Sequence, residues 1–216
     1  MFSAQQAEDY ISEMRDYALA KGREPGTWYM FHNHVYGVAL LAKEIAALTK
    51  DLNPERAYVM GLMHDAGKMR EDFEKRFHGI IGYELLKEED FEAARASLLH
   101  MFGFDKFPPY EKVAKMFFDN HKDYDFVCDF AVRNPLNDYD RLIQMADAMA
   151  DKRGLVTMEQ RAADYAVRYH QPVSPEMFGS RMALKQYFDK KTGVDIYSLF
   201  ENISPDYKLQ EGQDIK

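Results

Sequence analysis

Apolar residues recur at helical spacing along most of the chain, and the strict alternation of a half-buried strand is nowhere sustained. Tyr10, Ile11, Met14, Tyr17 and Ala18 mark one face of a predicted helix over about residues 4–21, which Gly22, Pro25 and Gly26 terminate. A second helix is predicted over about 31–50, with Val35, Val38, Leu41, Ala42, Ile45 and Leu48 on its inner face. Asn53 followed by Pro54 is a strong start signal, a side-chain cap with proline at the first helical position, for a short helix ending near Met63. Further helices are predicted over about 79–87, 91–101, 110–120, 139–152, 159–169, 175–190 and 196–200. The pattern therefore predicts an all-α fold, a bundle of about ten helices. The stretch FGFDKFPP, from Phe102 to Pro109, reads as a loop, either a lid or a packed connection, and the polar end from about Asp206 reads as frayed. Aromatic residues Tyr10, Tyr17, Phe117, Phe118, Tyr187 and Phe188 fall at helical spacing and are expected in the core.

Composition narrows the function more than the fold. With 216 residues, 46% of them apolar, the chain can bury a core without disulfide or structural-metal staples, so a metal site here is expected to serve function. No linker is long enough to divide it, and a single domain over residues 1–216 is expected. A formal charge of -8 argues against a surface that coats nucleic acid, which needs a lysine and arginine excess. The lone cysteine, Cys128, excludes an intramolecular disulfide and a thiolate metal cluster. The opening MFSAQQAEDYISEM lacks a basic stretch followed by an apolar one, and no run of about 18 apolar residues appears, so neither export nor a membrane span is expected and the expected address is the cytoplasm.

Seven histidines stand out, mostly one per predicted helix. His64 and Asp65 are adjacent in GLMHDAGK, at the end of a short apolar helix. His34 opens HVYGVALLAKEIA, His78 lies in RFHGIIGYELL, His100 in AARASLLHMF, and Asp147 in DRLIQMADAMAD. Each sits at a helix end or on an apolar stripe, where an uncompensated polar group is costly unless hydrogen-bonded or bound to metal. His32 and His34 are about 200° apart on a helix, so only one can face a shared site. His34 is the one in step with the apolar stripe, leaving His32 as a solvated or capping residue. Neither a phosphate-cradling glycine loop nor a hydrolase nucleophile elbow is present.

In this order and composition, the stretch from about Phe31 to Arg153 resembles the HD-domain metal-dependent phosphohydrolase superfamily. HDAGK departs from the commoner pattern only at Ala66. HGIIGYELL, DYDRLIQMADAMADKRG and the later KQYFDKKTGVDIYSLF are similar to a subgroup of stand-alone HD proteins. The resemblance implies a metal-motif core over about 30–153 with a helical extension over about 154–205. It implies that His34, His64, Asp65 and Asp147 hold a first divalent ion, and that His78 and His100 hold a second, with Asp65 bridging. Imidazoles and carboxylates suit Fe, Mn, Zn, Co, Ni or, less well, Mg. The implied activity is hydrolysis of a small phosphorylated substrate, a nucleotide or another phosphate ester, by a hydroxide held on one or two metal ions. Asp65 and Lys68 carry the implied catalytic roles, Lys68 by touching a substrate phosphate. Two other classes stay open at this point: an oxygen-dependent di-iron enzyme of the HD-like kind, and a non-catalytic nucleotide-binding module.

Several neighbours of the motif are ambiguous in sequence. His121, in DNHKDYD, competes with His100, which is preferred because it closes an Ala-rich helix soon after HGIIGYELL. Asp151 either orients a ligand or pairs with Lys152 or Arg153. Arg70, Lys75 and Arg76 either attract an anionic substrate or are simply solvated. His170 is expected at the surface, at a helix end.

Overall fold

The computed structural model describes residues 1–24, 28–102, 110–111, 118 and 120–210. It is all-α apart from one two-stranded hairpin. In chain order the helices are α1 (Ala4–Ala20), α2 (Trp28–Ala47), α3 (Pro54–Met63), the single turn α4 (Glu71–Glu74), α5 (His78–Leu86), α6 (Phe91–Leu99), α7 (His121–Arg133), α8 (Asp138–Asp147), α9 (Met158–Tyr169) and α10 (Pro175–Thr192). The hairpin β1 (Ala150–Asp151) and β2 (Gly154–Leu155) lies between α8 and α9, and 3₁₀ turns at Ile196–Asn202 and Pro205–Tyr207 follow α10.

Local chemistry explains most of these boundaries. The Ser3, Asn53, Asp90, Asn120, Asn137, Thr157 and Ser174 side chains each accept a hydrogen bond from a backbone N–H in the first turn of the following helix. Gly193 ends α10 at φ 81°, a left-handed conformation that glycine adopts without strain. Helix α2 is the centre of the molecule. One side packs with α8, α10 and the 3₁₀ turns around Leu41, Ile45, Leu142, Phe188 and Ile196. The other packs with α1 and α3 around Ile11, Trp28, Val35, Val59 and Leu62. A third cluster, Phe77, Ile80, Leu98, Phe102 and Phe130, lies under α5, α6 and α7. A bidentate ion pair between Arg95 on α6 and the buried Asp140 on α8, with Nε to Oδ2 at 2.9 Å, ties this cluster to the rest.

The structure corrects several expectations. Helix α8 stops at Asp147 instead of continuing to 152, because the chain turns into the hairpin, and this leaves Asp147 at a helix end. The pattern did not predict α7: its buried apolar positions are few, Val127 and Phe130, while Phe126 and Val132 are exposed and acidic residues are interspersed. Residues 206–210 are not frayed, since Asn33 on α2 exchanges hydrogen bonds with the backbone of Leu209 at 2.7 and 3.0 Å; the remainder of the segment expected to fray lies outside the described residues. Tyr187 is exposed, its hydroxyl donating to Asp138 at 2.7 Å, whereas Phe188 beside it is fully buried. His32 is neither solvated nor capping: it is buried and stacked on Tyr36 with ring centroids 4.2 Å apart. Most of the FGFDKFPP segment, most of the helix expected over 110–120, and Phe117 lie outside the described residues.

Candidate metal centre

Five helices deliver the six residues singled out in sequence to one point. His34 projects from α2, His64 is the C-cap of α3 with Asp65 following, His78 opens α5, His100 is the C-cap of α6, and Asp147 is the last residue of α8. Three helix C-termini, those of α3, α6 and α8, therefore end at the site, and each favours positive charge there. The turn after His64 is held tightly against α5. A Cβ on Gly67 would lie 2.1 Å from the His78 carbonyl oxygen and 2.7 Å from the Gly82 nitrogen, so only glycine lets the two segments approach this closely.

The imidazoles are oriented from behind. His34 Nδ1 donates to the Ala150 carbonyl of the hairpin at 3.1 Å, His64 Nδ1 to the Gly61 carbonyl at 2.6 Å, and His100 Nδ1 to the Ser97 carbonyl at 2.8 Å. His78 Nδ1 donates to the Glu71 carboxylate at 2.8 Å. These partners can only accept, so each Nδ1 carries the proton, and in the neutral ring Nε2 presents a lone pair. The Nε2 atoms nevertheless face one another in pairs, His34 with His64 at 3.2 Å and His78 with His100 at 3.2 Å. Two lone pairs at that distance repel unless a cation lies against them.

Both carboxylates face the same space. Asp147 Oδ1 is 3.2 Å from His34 Nε2 and 4.0 Å from His64 Nε2. Asp65 divides its oxygens: Oδ2 is 3.8 Å from the Nε2 of both His34 and His64, and Oδ1 is 3.2 Å from His78 Nε2 and 3.5 Å from His100 Nε2. Spacings of this size suit donors that share a centre about 2.1 Å from each. The donor set His34, His64 and Asp147, and the set His64, Asp65 and His100, are each compact enough to hold a metal ion.

The electrostatics agree with this chemistry. Burial opposes the charge on Asp65 and Asp147, but the surrounding imidazoles outweigh it and hold both carboxyls well below the usual range. Burial pushes the His64 imidazole down against the pull of Asp65, and pushes His100 down to about 3. His78 goes the other way: burial opposes its charge, but Asp65 and Glu71 together raise it. A buried cluster of ionised carboxylates and mostly neutral imidazoles has the chemistry to hold a cation.

The remaining candidates separate cleanly. His121 is exposed, stacks on Tyr110, and lies outside the cluster that His100 joins. Lys68 sits at the edge of the site with Nζ 2.6 Å from Glu71 Oε2. Asp151 turns to Arg153, accepting from its backbone N–H at 2.7 Å and from its Nε at 2.9 Å. Arg70 and Arg76 are engaged by acids, Arg70 with Glu74 at 3.7 Å and Arg76 with Asp123 at 3.1 Å and Glu84 at 2.9 Å, and Lys75 is exposed. His170 is exposed at the end of α9. Sequence reasoning missed Glu71, which holds both His78 and Lys68. Its only signal was the i,i+3 spacing from Lys68, which is common on solvated helix faces.

Among known families, the model of the HD domain matches residues 31–151, more than half of the chain and a span that contains all six clustered residues. No curated protein and no solved structure matched the chain. No helix among the described residues is long and apolar enough to cross a membrane. With the His-Asp motif, the helical fold and the matched region in agreement, the chain belongs to the HD domain family, within the metal-dependent phosphohydrolase superfamily.

Proposed function

We propose that this protein is a divalent-metal-dependent hydrolase of small phosphate esters, nucleotides among them, with His34, His64, Asp65 and Asp147 as ligands of one ion and Asp65, His78 and His100 as ligands of another. The observation that carries the reading is the division of Asp65, whose Oδ2 faces His34 and His64 while Oδ1 faces His78 and His100. A carboxylate shared in this way is suited to bridging two ions.

When bound, a pair of divalent ions supplies Lewis acidity to a phosphoryl group and lowers the pKa of water beside it. The chain does the rest. The Nδ1 hydrogen bonds to Ala150, Gly61, Ser97 and Glu71 hold four rings so that they present Nε2 inward, which removes the cost of orienting them. Glu71 keeps Lys68 at the rim, where its ammonium can turn to a phosphate oxygen. The largely buried surroundings strengthen each charge interaction inside. Mn, Fe, Co, Ni and Zn all suit this mixed nitrogen and oxygen donor set, Mg less well.

The test is elemental analysis of the purified protein, followed by an anaerobic phosphatase and nucleotidase panel with the metal restored. The expected result is two ions per chain and metal-dependent phosphate release, both lost in Asp65→Ala. Full metal-dependent turnover in that variant would overturn the assignment.

A further inference from the structure

We propose that residues 203–209 form a strap that clamps the hairpin onto α2 and thereby positions His34 and Asp147 for the first metal ion, with Asn33 and Tyr207 as the positioning residues. The proposal rests on the metal-ligand reading above and goes beyond it by giving a task to a segment that contributes no ligand. The strap lies outside the region matched by the family, residues 31–151.

The hairpin cannot hold itself in place. It consists of two residue pairs, Ala150 with Leu155 and Asp151 with Gly154, and a ribbon this short is not stable in water through its own hydrogen bonds. Its position nevertheless matters to the site. The Ala150 carbonyl accepts the His34 Nδ1 proton at 3.1 Å, and α8 ends at Asp147 just before β1 begins at Ala150. Two ligands of the first ion therefore follow the hairpin wherever it moves.

The side chain that joins hairpin, helix and strap is Asn33, the neighbour of His34 on α2, which is only 3% exposed. Its Nδ2 donates to the Lys152 carbonyl at 2.9 Å and to the Leu209 carbonyl at 3.0 Å, and its Oδ1 accepts from the Leu209 N–H at 2.7 Å. Both amide hydrogens are thus used, one on the hairpin and one on the strap. The two bonds to Leu209 fix the orientation of the amide, and with it the hold on Lys152. One turn further along α2, Gly37 leaves room for Tyr207. The Tyr207 hydroxyl lies 3.3 Å from where a Cβ on Gly37 would stand and 2.6 Å from where one on Gly154 would, so it is wedged between helix and hairpin. The strap is anchored at both ends. Ile203 packs against the cluster shared by α2, α8 and α10, and Leu209 against the cluster shared by α1, α2 and α3.

The experiment compares the wild type with Asn33→Ala, Leu209→Pro and Leu209→Ala. Leu209→Pro removes the N–H that Asn33 accepts from and leaves α2 intact, whereas Leu209→Ala keeps that N–H and trims only the side chain. Two readouts are taken on the apoprotein: calorimetric titration with manganese(II), the two affinities being assigned through His34→Gln and His78→Gln, and hydrogen exchange of the Val156 amide, which donates to the Met149 carbonyl at 2.8 Å across the hairpin. In Asn33→Ala and Leu209→Pro the expected result is first-ion affinity lower by about 10- to 100-fold, second-ion affinity unchanged, and exchange at Val156 faster by about tenfold or more. Leu209→Ala is expected to stay within about twofold of wild type in both readouts. Unchanged exchange in Asn33→Ala and Leu209→Pro would overturn the strap, and faster exchange with an unchanged first-ion affinity would overturn its positioning role. Equal losses in Leu209→Ala and Leu209→Pro would assign the effect to side-chain packing and overturn the hydrogen-bonded clamp. If the wild type binds no manganese(II), the metal reading fails by itself, and exchange at Val156 still decides whether the strap holds the hairpin. If Asn33→Ala does not fold, Leu209→Pro carries the comparison.

Discussion

Glu71 accepts the Nδ1 proton of His78 at 2.8 Å through Oε1, while its Oε2 holds the Lys68 ammonium at 2.6 Å. One carboxylate thus orients an inward-facing imidazole and positions a cation at the rim. Burial opposes its charge, yet His78 and Lys68 together bring it down to about 2, so it is ionised at neutral pH. Glu71→Gln keeps the shape and removes the charge. The expected outcome is that affinity for the ion nearest His78 and His100 falls about 10- to 100-fold while the other ion is retained. Calorimetric metal titration of the apoprotein checks it; two unaltered affinities would rule out the positioning role.

The raised His78 value sets the pH dependence of the second ion. Without metal, a second proton on this ring occupies the place of a cation, and metal must displace it. Occupancy at the His78 and His100 pair is therefore expected to fall as pH drops through the raised value and to level off above it. Stability of the apoprotein has the opposite sign. The folded value lies above the unfolded one near 6.5, so this contribution is complete below about 6.5 and is lost as pH rises through the folded value. Metal content after equilibration across pH, and its flattening in His78→Gln, provide the measurement.

Gly67 is the tightest point between the His-Asp turn and α5, where a Cβ would meet the His78 carbonyl at 2.1 Å. Gly67→Ala must push α5 outward, taking His78 away from Asp65. Overpacking of this kind costs about 1 to 3 kcal/mol, and loss of the second ion is expected alongside it. Denaturant midpoints and elemental analysis measure the two effects separately. Wild-type stability with a full metal complement would show that the contact is not restrictive.

His32 gives an acid sensitivity that does not involve the metal centre. It is buried with no hydrogen-bond partner on Nδ1 among the described residues, and burial lowers its value to about 4 against a weaker upward pull from Asn33. The unfolded chain takes up this proton first, near pH 6.5, so the contribution is complete above that pH and is lost as pH falls toward 4. The full loss is about 3 kcal/mol. His32→Phe, which preserves the stacking on Tyr36, should flatten thermal midpoints between those pH values, and an unchanged slope would reject the assignment.

Helix positions were legible where local chemistry sets them. Asn53 and Pro54 start α3 for reasons contained within four residues, and the apolar stripe from Val35 to Ile45 needs no knowledge of its partners. The missed α7 shows the boundary of that logic: few of its residues are buried, and tertiary packing of Val127 and Phe130 accounts for the rest. His32 shows it again. Its phase relative to His34 excluded it from the site and sets it between Trp28 and Tyr36 on one face of α2, but that this face is covered depends on packing against α1 and α3.

By itself the sequence determined the all-α class, most helix boundaries and the residues with ligand chemistry, because periodicity, caps and the His-Asp motif are local properties. Only the tertiary structure decided how those residues meet: that Asp65 turns one oxygen to each histidine pair, and that Glu71 holds His78 and Lys68. The physical reason is the same in each case. Residues far apart in sequence or on separate helices acquire a shared electrostatic environment only when packing removes the water between them, and no one-dimensional pattern records which groups that packing brings together.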